Sequence, residues 1–215
     1  MRPFKTNGRH IPRYRGKVGQ TVHIPSEKNG EWRTCETLGE IAVALALEFD
    51  GEVLRYETQN PIEYRLNNKK RTGFSDLCVW KRNRPSQHVE VRLDSALESD
   101  KAQAKLEAKR IAVEALGEGL AVVPRSVAVQ EPYYSSHSYL YRFRRFAAEE
   151  ASLSYLVNYV SKAYPESLLL GDLLGILQAA SIPSATLYQA LATNVLQFNW
   201  GAPLNEKTRV WRSRS

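Results

Sequence analysis

The chain has 215 residues, 43% of them hydrophobic and 25% charged, fractions typical of a folded globular protein rather than a disordered or collagen-like one. Lys and Arg total 30 against 23 Asp and Glu, and the formal net charge of +7 favours a polyanionic partner such as nucleic acid. Two cysteines are too few for a disulfide framework, and the longest apolar run, residues 41–47, is too short to cross a membrane. We therefore expect a cytoplasmic protein with no secretory signal and no membrane contact.

The first 20 residues form a basic segment without acidic residues or a hydrophobic period. Its cations are Arg2, Lys5, Arg9, Arg13, Arg15 and Lys17. Such a segment is typical of an extended arm. Two interpretations stay open: an arm that contacts DNA phosphates, chiefly through Arg9, Arg13, Arg15 and Lys17, or a solvated tail.

Residues 21–131 have the pattern of an α/β domain with a mixed central sheet. Thr37 and Glu40 have the spacing of a capping box, and the apolar residues 41–47 that follow predict a buried helix. Short strands are predicted at 53–58, 62–66, 72–80 and 88–92, with Asn67 and Asn68 as a hairpin turn. An amphipathic helix over 97–116, closed by Gly117 and Gly119, and a buried strand over 120–123 complete this domain.

Residues 132–215 predict a second domain of three helices and a small hairpin, the pattern of a winged helix. The helices are expected at 149–163, 167–180 and 184–194, the last capped by Ser184, and the strands at 195–200 and 208–212. The third helix, which enters the major groove in DNA-binding winged helices, exposes no Arg or Lys. We therefore expect this domain to dock partner proteins, with a basic tail that includes Arg209 and Arg212 touching DNA or an acidic partner.

Acidic side chains fall on neighbouring strands of the predicted sheet. Asp76 lies within strand 72–80, while Glu90 and Arg92 are two residues apart and so share a face of strand 88–92. Carboxylates so placed can hold a divalent cation, which polarises a phosphate and activates a water. The spacing approximates the Asp…(Asp/Glu)-x-Lys pattern of restriction-endonuclease-like nucleases. Because that pattern is degenerate, solvated carboxylates beside a surface Arg remain the alternative.

Other polar residues near these positions have simpler interpretations. We expect Glu36 and Glu48 to face solvent, His88 to be incidental to the site, and Cys78 to be a core residue of its strand.

Several short motifs occur in a fixed order along the first domain. They are Arg15-Gly16-Lys17, Cys35-Glu36-Thr37-Leu38-Gly39-Glu40, Leu47-Glu48-Phe49-Asp50, Gln59-Asn60-Pro61, Phe74-Ser75-Asp76-Leu77 and Val89-Glu90-Val91-Arg92. As a series over about residues 15–124, they resemble the N-terminal domain of TnsA-type endonuclease subunits of heteromeric, Tn-seven-like transposases. The winged-helix pattern is similar to the C-terminal domain of that family.

The resemblance implies a restriction-endonuclease-like domain that cleaves DNA at the 5′ ends of a transposon with Mg²⁺, for which Mn²⁺ substitutes. It implies Glu40, Asp76 and Glu90 as catalytic metal ligands, and it places Arg92 where the family has Lys. The implied partners are double-stranded DNA at transposon ends, a DDE-type transposase subunit, and an AAA+ regulator bound through the C-terminal domain. The implied setting is a bacterial cytoplasm, with the protein on the nucleoid when it acts.

The chain departs from the family pattern at three points. Ser75-Asp76-Leu77 replaces Pro-Asp-Phe, Asn60 is inserted before Pro61, and Arg92 replaces the Lys. Arg keeps its charge essentially always, so Arg92 offers electrostatic help through a planar fork and no proton transfer. Two functions stay open: a magnesium-dependent endonuclease in which Arg92 stabilises charge, and a non-catalytic architectural subunit that bridges DNA and partner proteins.

Overall fold

The structure, a computed structural model, describes residues 21–163 and 166–212. The chain divides into two compact units, Met1–Val129 and Gln130–Ser215, whereas the expected boundary lay two residues further on. The basic arm, residues 1–20, lies outside the described residues. No helix in the described ranges is both long and apolar enough to span a bilayer.

The first unit begins with a hairpin that the sequence pattern did not predict. Its strands are β1 (Val22–Ser26) and β2 (Glu31–Cys35), paired antiparallel. Helix α1 (Leu38–Phe49) follows, with Thr37 as its N-cap as predicted. The prediction of a wholly buried helix is confirmed only in part: Ala44 and Leu45 are buried, whereas Val43 and Leu47 are half-buried and Leu38 is exposed.

A mixed four-stranded sheet forms the centre of the first unit and confirms the predicted α/β class. Its strands are β3 (Val53–Leu66), β4 (Lys69–Lys81), β5 (Gln87–Arg92) and β6 (Gly119–Pro124), in the order β3-β4-β5-β6. The β3–β4 and β4–β5 pairs are antiparallel, and the β5–β6 pair is parallel. Strands 53–58 and 62–66 were predicted separately but form one strand, because Pro61 lies on an edge strand, where a missing N–H is tolerated.

The turns and helices of this unit follow the predicted pattern closely. Asn67 and Asn68 have φ values of 53° and 59°, the positive pair that a type I′ hairpin turn requires. The predicted helix 97–116 is a short 3₁₀ segment, Asp94–Glu98, followed by α2 (Asp100–Glu114). Gly117, with φ 76°, closes α2 as expected. A short helix, α3 (Arg125–Ala128), follows β6.

The two longer helices contact different parts of the sheet. Val113 of α2 packs with Ile62 and Tyr64 of β3 in a buried apolar cluster. At the start of α1, a Cβ on Gly39 would lie 2.6 Å from Val91 Cγ1, so only glycine allows α1 to approach β5 this closely. The Gly39 contact brings α1 to β5, the strand that carries Glu90, whereas the Val113 cluster packs α2 on β3.

The second unit is mainly helical. Its helices are α4 (Tyr133–Tyr141), α5 (Glu150–Lys162), α6 (Leu170–Ala179) and α7 (Ala185–Ala192), and its strands are β7 (Leu168–Leu169), β8 (Leu196–Phe198) and β9 (Arg209–Arg212). The strands form an antiparallel sheet in the order β7-β9-β8. Fully buried leucines of α5, α6 and α7, among them Leu156, Leu173 and Leu191, form the core.

The three predicted helices and two predicted strands of this unit are present, with two additions and one correction. Helix α4 was not predicted, and β7 takes the first residues of the predicted helix 167–180 because Leu168 and Leu169 pair with β9. Ser184 occupies the cap position of α7, but its side chain makes no capping hydrogen bond. The predicted side-chain cap is therefore wrong.

Candidate functional site

Glu40 is held at the first turn of α1 by a capping box. The Thr37 hydroxyl accepts a hydrogen bond from Glu40 N at 3.2 Å and donates one to Glu40 Oε1 at 3.0 Å. Glu40 Oε2 accepts a further bond from Glu36 N at 2.8 Å. The side chain is thus oriented by its own helix terminus, and the residue is buried.

The charge of Glu40 interacts with that of Asp76. Burial raises the pKa of Glu40 to about 7, and the negative charge of Asp76 adds to the rise, against the lowering effect of the hydrogen bond from Glu36 N. Burial, with the charges of Glu40 and Asp76, also raises the pKa of the Cys35 thiol. Two carboxylates from α1 and β4 therefore share one weakly solvated region.

Asp76 lies on β4, and its carboxylate reaches the adjacent strand. Its Oδ2 atom accepts a hydrogen bond from Val91 N at 2.7 Å and one from Arg92 Nη1 at 3.2 Å. Asp76 is buried, whereas the Arg92 side chain remains 30% exposed. The Asp76 carboxylate is therefore fixed against β5, beside the Arg92 side chain, which is partly exposed to solvent.

Glu90, on β5, is fully buried between two cations. Its Oε2 pairs with Arg92 Nη2, and its Oε1 pairs with Nζ of Lys109. The predicted sharing of one strand face by Glu90 and Arg92 is thus confirmed by their contact. Arg92 contacts both acidic residues, so Asp76, Glu90 and Arg92 form one connected cluster.

Lys109 also belongs to this cluster, although it was not predicted as a site residue. It comes from α2, is 1% exposed, and donates a hydrogen bond to Phe74 O at 2.7 Å. Burial, with the nearby charges of Lys105 and Arg92, lowers the pKa of Lys109, against the raising effect of the Asp76 charge. A signal was present: Ala102, Leu106, Lys109 and Val113 recur at helical spacing, which puts this lysine on the apolar face.

The donor set suits a hard divalent cation, although it is not preassembled as a metal site. Carboxylate oxygens such as those of Glu40, Asp76 and Glu90 are the protein ligands that Mg²⁺ prefers. Across residues 21–163 and 166–212, however, no three His, Cys, Asp or Glu side chains are grouped so that they could hold a metal ion. Here, the side chains of Arg92 and Lys109 supply the positive charge beside the Glu90 carboxylate.

Glu48 was expected to face solvent and is instead buried, which corrects that prediction. Its Oε1 accepts hydrogen bonds from the hydroxyls of Ser26 and Tyr56, and its Oε2 accepts one from Glu27 N. These contacts join α1 to the β1–β2 turn and to β3. Glu48 therefore serves the packing of the first unit.

His88 and Cys78 are also buried. His88 contacts the Ser75 hydroxyl at 2.8 Å through Nδ1 and the Glu118 carboxylate at 3.1 Å through Nε2. Cys78 is 1% exposed, as expected for a core residue of its strand. Because Ser75 is fully buried, this Ser–His–Glu series has no open position for a substrate.

The predicted DNA-contacting residues fall into two groups. Arg9, Arg13, Arg15 and Lys17 lie outside the described residues. Arg209 and Arg212 are exposed on β9, where they donate hydrogen bonds to the Ser167 and Ser161 hydroxyls at 3.2 and 3.1 Å. The two arginines therefore present positive charge on the surface of the second unit.

No protein-family model matches the chain, and comparison with curated proteins gives no significant match.

Proposed function

We propose that the chain is the DNA endonuclease subunit of a heteromeric cut-and-paste transposase, similar to TnsA, and that it hydrolyses phosphodiester bonds at the 5′ ends of a transposon. The observation that carries this proposal is the cluster of Asp76, Glu90 and Arg92 on adjacent strands, with the charge of Glu40 coupled to it. Buried, mutually perturbing charged groups of this kind are concentrated at functional sites. The mixed sheet with α1 leading into it supports a restriction-endonuclease-like fold for this unit.

In the proposed site, Glu40, Asp76 and Glu90 would hold Mg²⁺ or Mn²⁺. The metal ion would polarise a phosphate and lower the pKa of the attacking water. The chain's own contribution is orientation: Thr37 and Glu36 N fix Glu40, and Val91 N fixes Asp76. Arg92, which is partly exposed and permanently charged, is placed to stabilise negative charge on a DNA phosphate.

The second unit is proposed as a winged-helix module that docks a DDE-type transposase subunit and an AAA+ regulator. Its order of helices and the small sheet β7-β9-β8 support that fold. A surface cleft of about 750 Å³ in this unit is lined by Tyr134, Tyr139, Arg142, Leu174, Tyr188 and Glu206, among others. Aromatic side chains and Arg are enriched at protein interfaces, which supports partner docking at this cleft.

The test of the nuclease is nicking of supercoiled plasmid DNA in Mg²⁺ or Mn²⁺ by the wild type and by Asp76→Asn. We expect the variant to lose about a thousandfold in rate, because a metal ligand supplies several kcal/mol of transition-state stabilisation. Asp100→Asn, an exposed aspartate at the start of α2, is the matched control and should cleave like the wild type. Unchanged nicking by Asp76→Asn would remove Asp76 from the site.

A second candidate function is a non-catalytic architectural subunit that bridges DNA and partner proteins. The observation that favours it is the pairing of both Glu90 oxygens with cations, since an entering metal ion would have to displace Arg92 or Lys109. Comparison of the wild type with Arg92→Lys in the same assay separates the two functions. Cleavage by Arg92→Lys but not by the wild type would identify a nuclease that has lost its activity. Robust cleavage by both proteins would refute the architectural role.

A further inference from the structure

We propose that Lys109 of α2 is a positioning residue of this site. It holds the Glu90 carboxylate on the sheet and so leaves Arg92 available to a DNA phosphate. The proposal rests on the endonuclease function above and deepens it. Position 92, where the family pattern has Lys, is occupied by Arg, so the strand itself supplies no lysine beside Glu90.

The geometry around Lys109 is specific. Its ammonium contacts Glu90 Oε1 and donates to Phe74 O at 2.7 Å, so it joins β5 and β4 from the side of α2. The stem passes over Gly73, where an added Cβ would lie 3.0 Å from Lys109 Cε. Glycine at position 73 thus leaves the room that this lysine occupies.

The exposures of the two cations indicate a division of roles. Lys109 is 1% exposed and Glu90 fully buried, so this ammonium cannot touch DNA and can act only through Glu90. Arg92 pairs with the same carboxylate but is 30% exposed. Because Lys109 already compensates the Glu90 charge, Arg92 can turn toward a phosphate without leaving a buried carboxylate unpaired.

The test compares Lys109→Gln with Lys101→Gln. Gln keeps N–H donors but lacks the charge, whereas Lys101 is an exposed lysine of the same helix. For Lys109→Gln we expect kcat for plasmid nicking to fall at least tenfold, with KM within twofold of wild type. Mn²⁺ binding, measured by calorimetry, should stay as tight or become tighter, because a positive charge beside a metal ligand is gone. Lys101→Gln should match the wild type in all three readouts.

A second variant covers the case in which Lys109→Gln does not fold. Gly73→Ala keeps the lysine and its charge but places a methyl group 3.0 Å from both Lys109 Cε and Tyr64 Cε1, so it should displace the lysine and lower kcat severalfold without loss of Mn²⁺ binding. Wild-type kcat in either folded variant would overturn the role of Lys109, as would parallel loss of Mn²⁺ binding and kcat, which a merely structural role predicts. Absence of nicking by the wild type would overturn the endonuclease proposal itself, and this inference with it.

An independent observation concerns the tip of the β3–β4 hairpin. The β4–β5 register covers only Leu77 to Val79, so residues 61–74 lie beyond the part of β4 that pairs with β5. This tip exposes four cations, Arg65, Lys69, Lys70 and Arg71, of which Lys70 pairs with Glu63. The type I′ turn fixes the register of the two strands, so the backbone positions of these four cations are also fixed.

We infer that this hairpin tip binds the phosphate backbone of double-stranded DNA. Closely spaced exposed cations with one acidic neighbour match the charge of a duplex, and they would steer and position it without reading its sequence. None of these four cations is among the DNA-contacting residues predicted from the sequence.

The test is DNA binding in EDTA, which separates binding from cleavage. Relative to wild type, Arg65→Gln/Lys69→Gln/Lys70→Gln/Arg71→Gln should flatten the slope of log affinity against log salt by about 3–4 units, at roughly 0.9 per phosphate contact. Lys101→Gln/Lys105→Gln, with two exposed α2 cations replaced, should keep the wild-type slope. An unchanged slope in the quadruple variant would overturn the hairpin surface. A wild type that does not bind DNA would overturn it too, while the nicking assay separately tests the enzyme.

Discussion

The two units of the chain differ most in what they bury. Among the described residues, the interior of Met1–Val129 contains the charged side chains of Glu40, Glu48, Asp76, Glu90 and Lys109. The interior of Gln130–Ser215 contains leucines and other apolar side chains, and its buried polar residues in the described range are Ser136, Thr186 and Thr208. Within the part of the chain that the structure describes, charged side chains are thus buried in the first unit and not in the second.

This difference is consistent with the placement of the proposed site in the first unit. Removing a charge from water costs several kcal/mol unless close partners compensate it, so a fold selected for stability alone would have little reason to keep these groups. In the first unit the cost is offset by ion pairs and by hydrogen bonds from backbone N–H groups, as at Asp76 and Glu90. The second unit presents its distinctive groups, aromatic rings and arginines, on the surface.

The largest expected effect on stability comes from breaking the buried pair. Glu90→Ala leaves Lys109 without its carboxylate, and we expect a loss of about 3–5 kcal/mol in the free energy of unfolding, measured by native-state hydrogen exchange of β5. Adding Lys109→Met should recover much of that loss. Glu63→Ala, an exposed partner of Lys70, should change stability by less than about 0.5 kcal/mol. Equal effects of the two Glu variants would contradict the comparison.

The second unit should respond through packing. Leu191→Ala in α7 removes a fully buried side chain and should cost about 2–5 kcal/mol, measured by hydrogen exchange of α7, because a cavity is left behind. Leu204→Ala, at a half-buried loop position, should cost less. No neutralising second substitution should recover the Leu191→Ala loss, in contrast to the Glu90 case. Recovery by such a change would show that charge also matters in this interior.

The smallest expected effect is a pH dependence confined to the first unit. The pKa of Glu40 is about 7 in the native state against an ordinary 4.5, so the native state binds this proton more tightly. The stabilisation that this bound proton gives the native state is complete below pH 4.5 and is lost as pH rises through about 7. Glu40→Gln should therefore match the wild type near pH 4.5 and exceed it at pH 8 by roughly 1–3 kcal/mol in urea unfolding. A wild type that gains stability relative to Glu40→Gln between these pH values would reverse the sign and contradict the prediction.

Local patterns sufficed for several features of the fold and site. The capping box at Thr37 and Glu40, the Asn67-Asn68 turn and the shared face of Glu90 and Arg92 each depend on residues at most three positions apart. The spacing of such residues is fixed by helix or strand geometry once the element forms, so the sequence alone determined them.

Other features depended on contacts between distant residues, which only the tertiary structure decided. Lys109 lies 19 residues from Glu90 along the chain and reaches it because α2 packs on the sheet. Glu48 is buried, against expectation, because Ser26 at the end of β1 donates a hydrogen bond to it. Leu168 and Leu169 form β7 rather than helix because β9 offers them hydrogen-bonding partners. A single position cannot encode these outcomes, because a buried charge or a strand bond is stable only when its distant partner is in place.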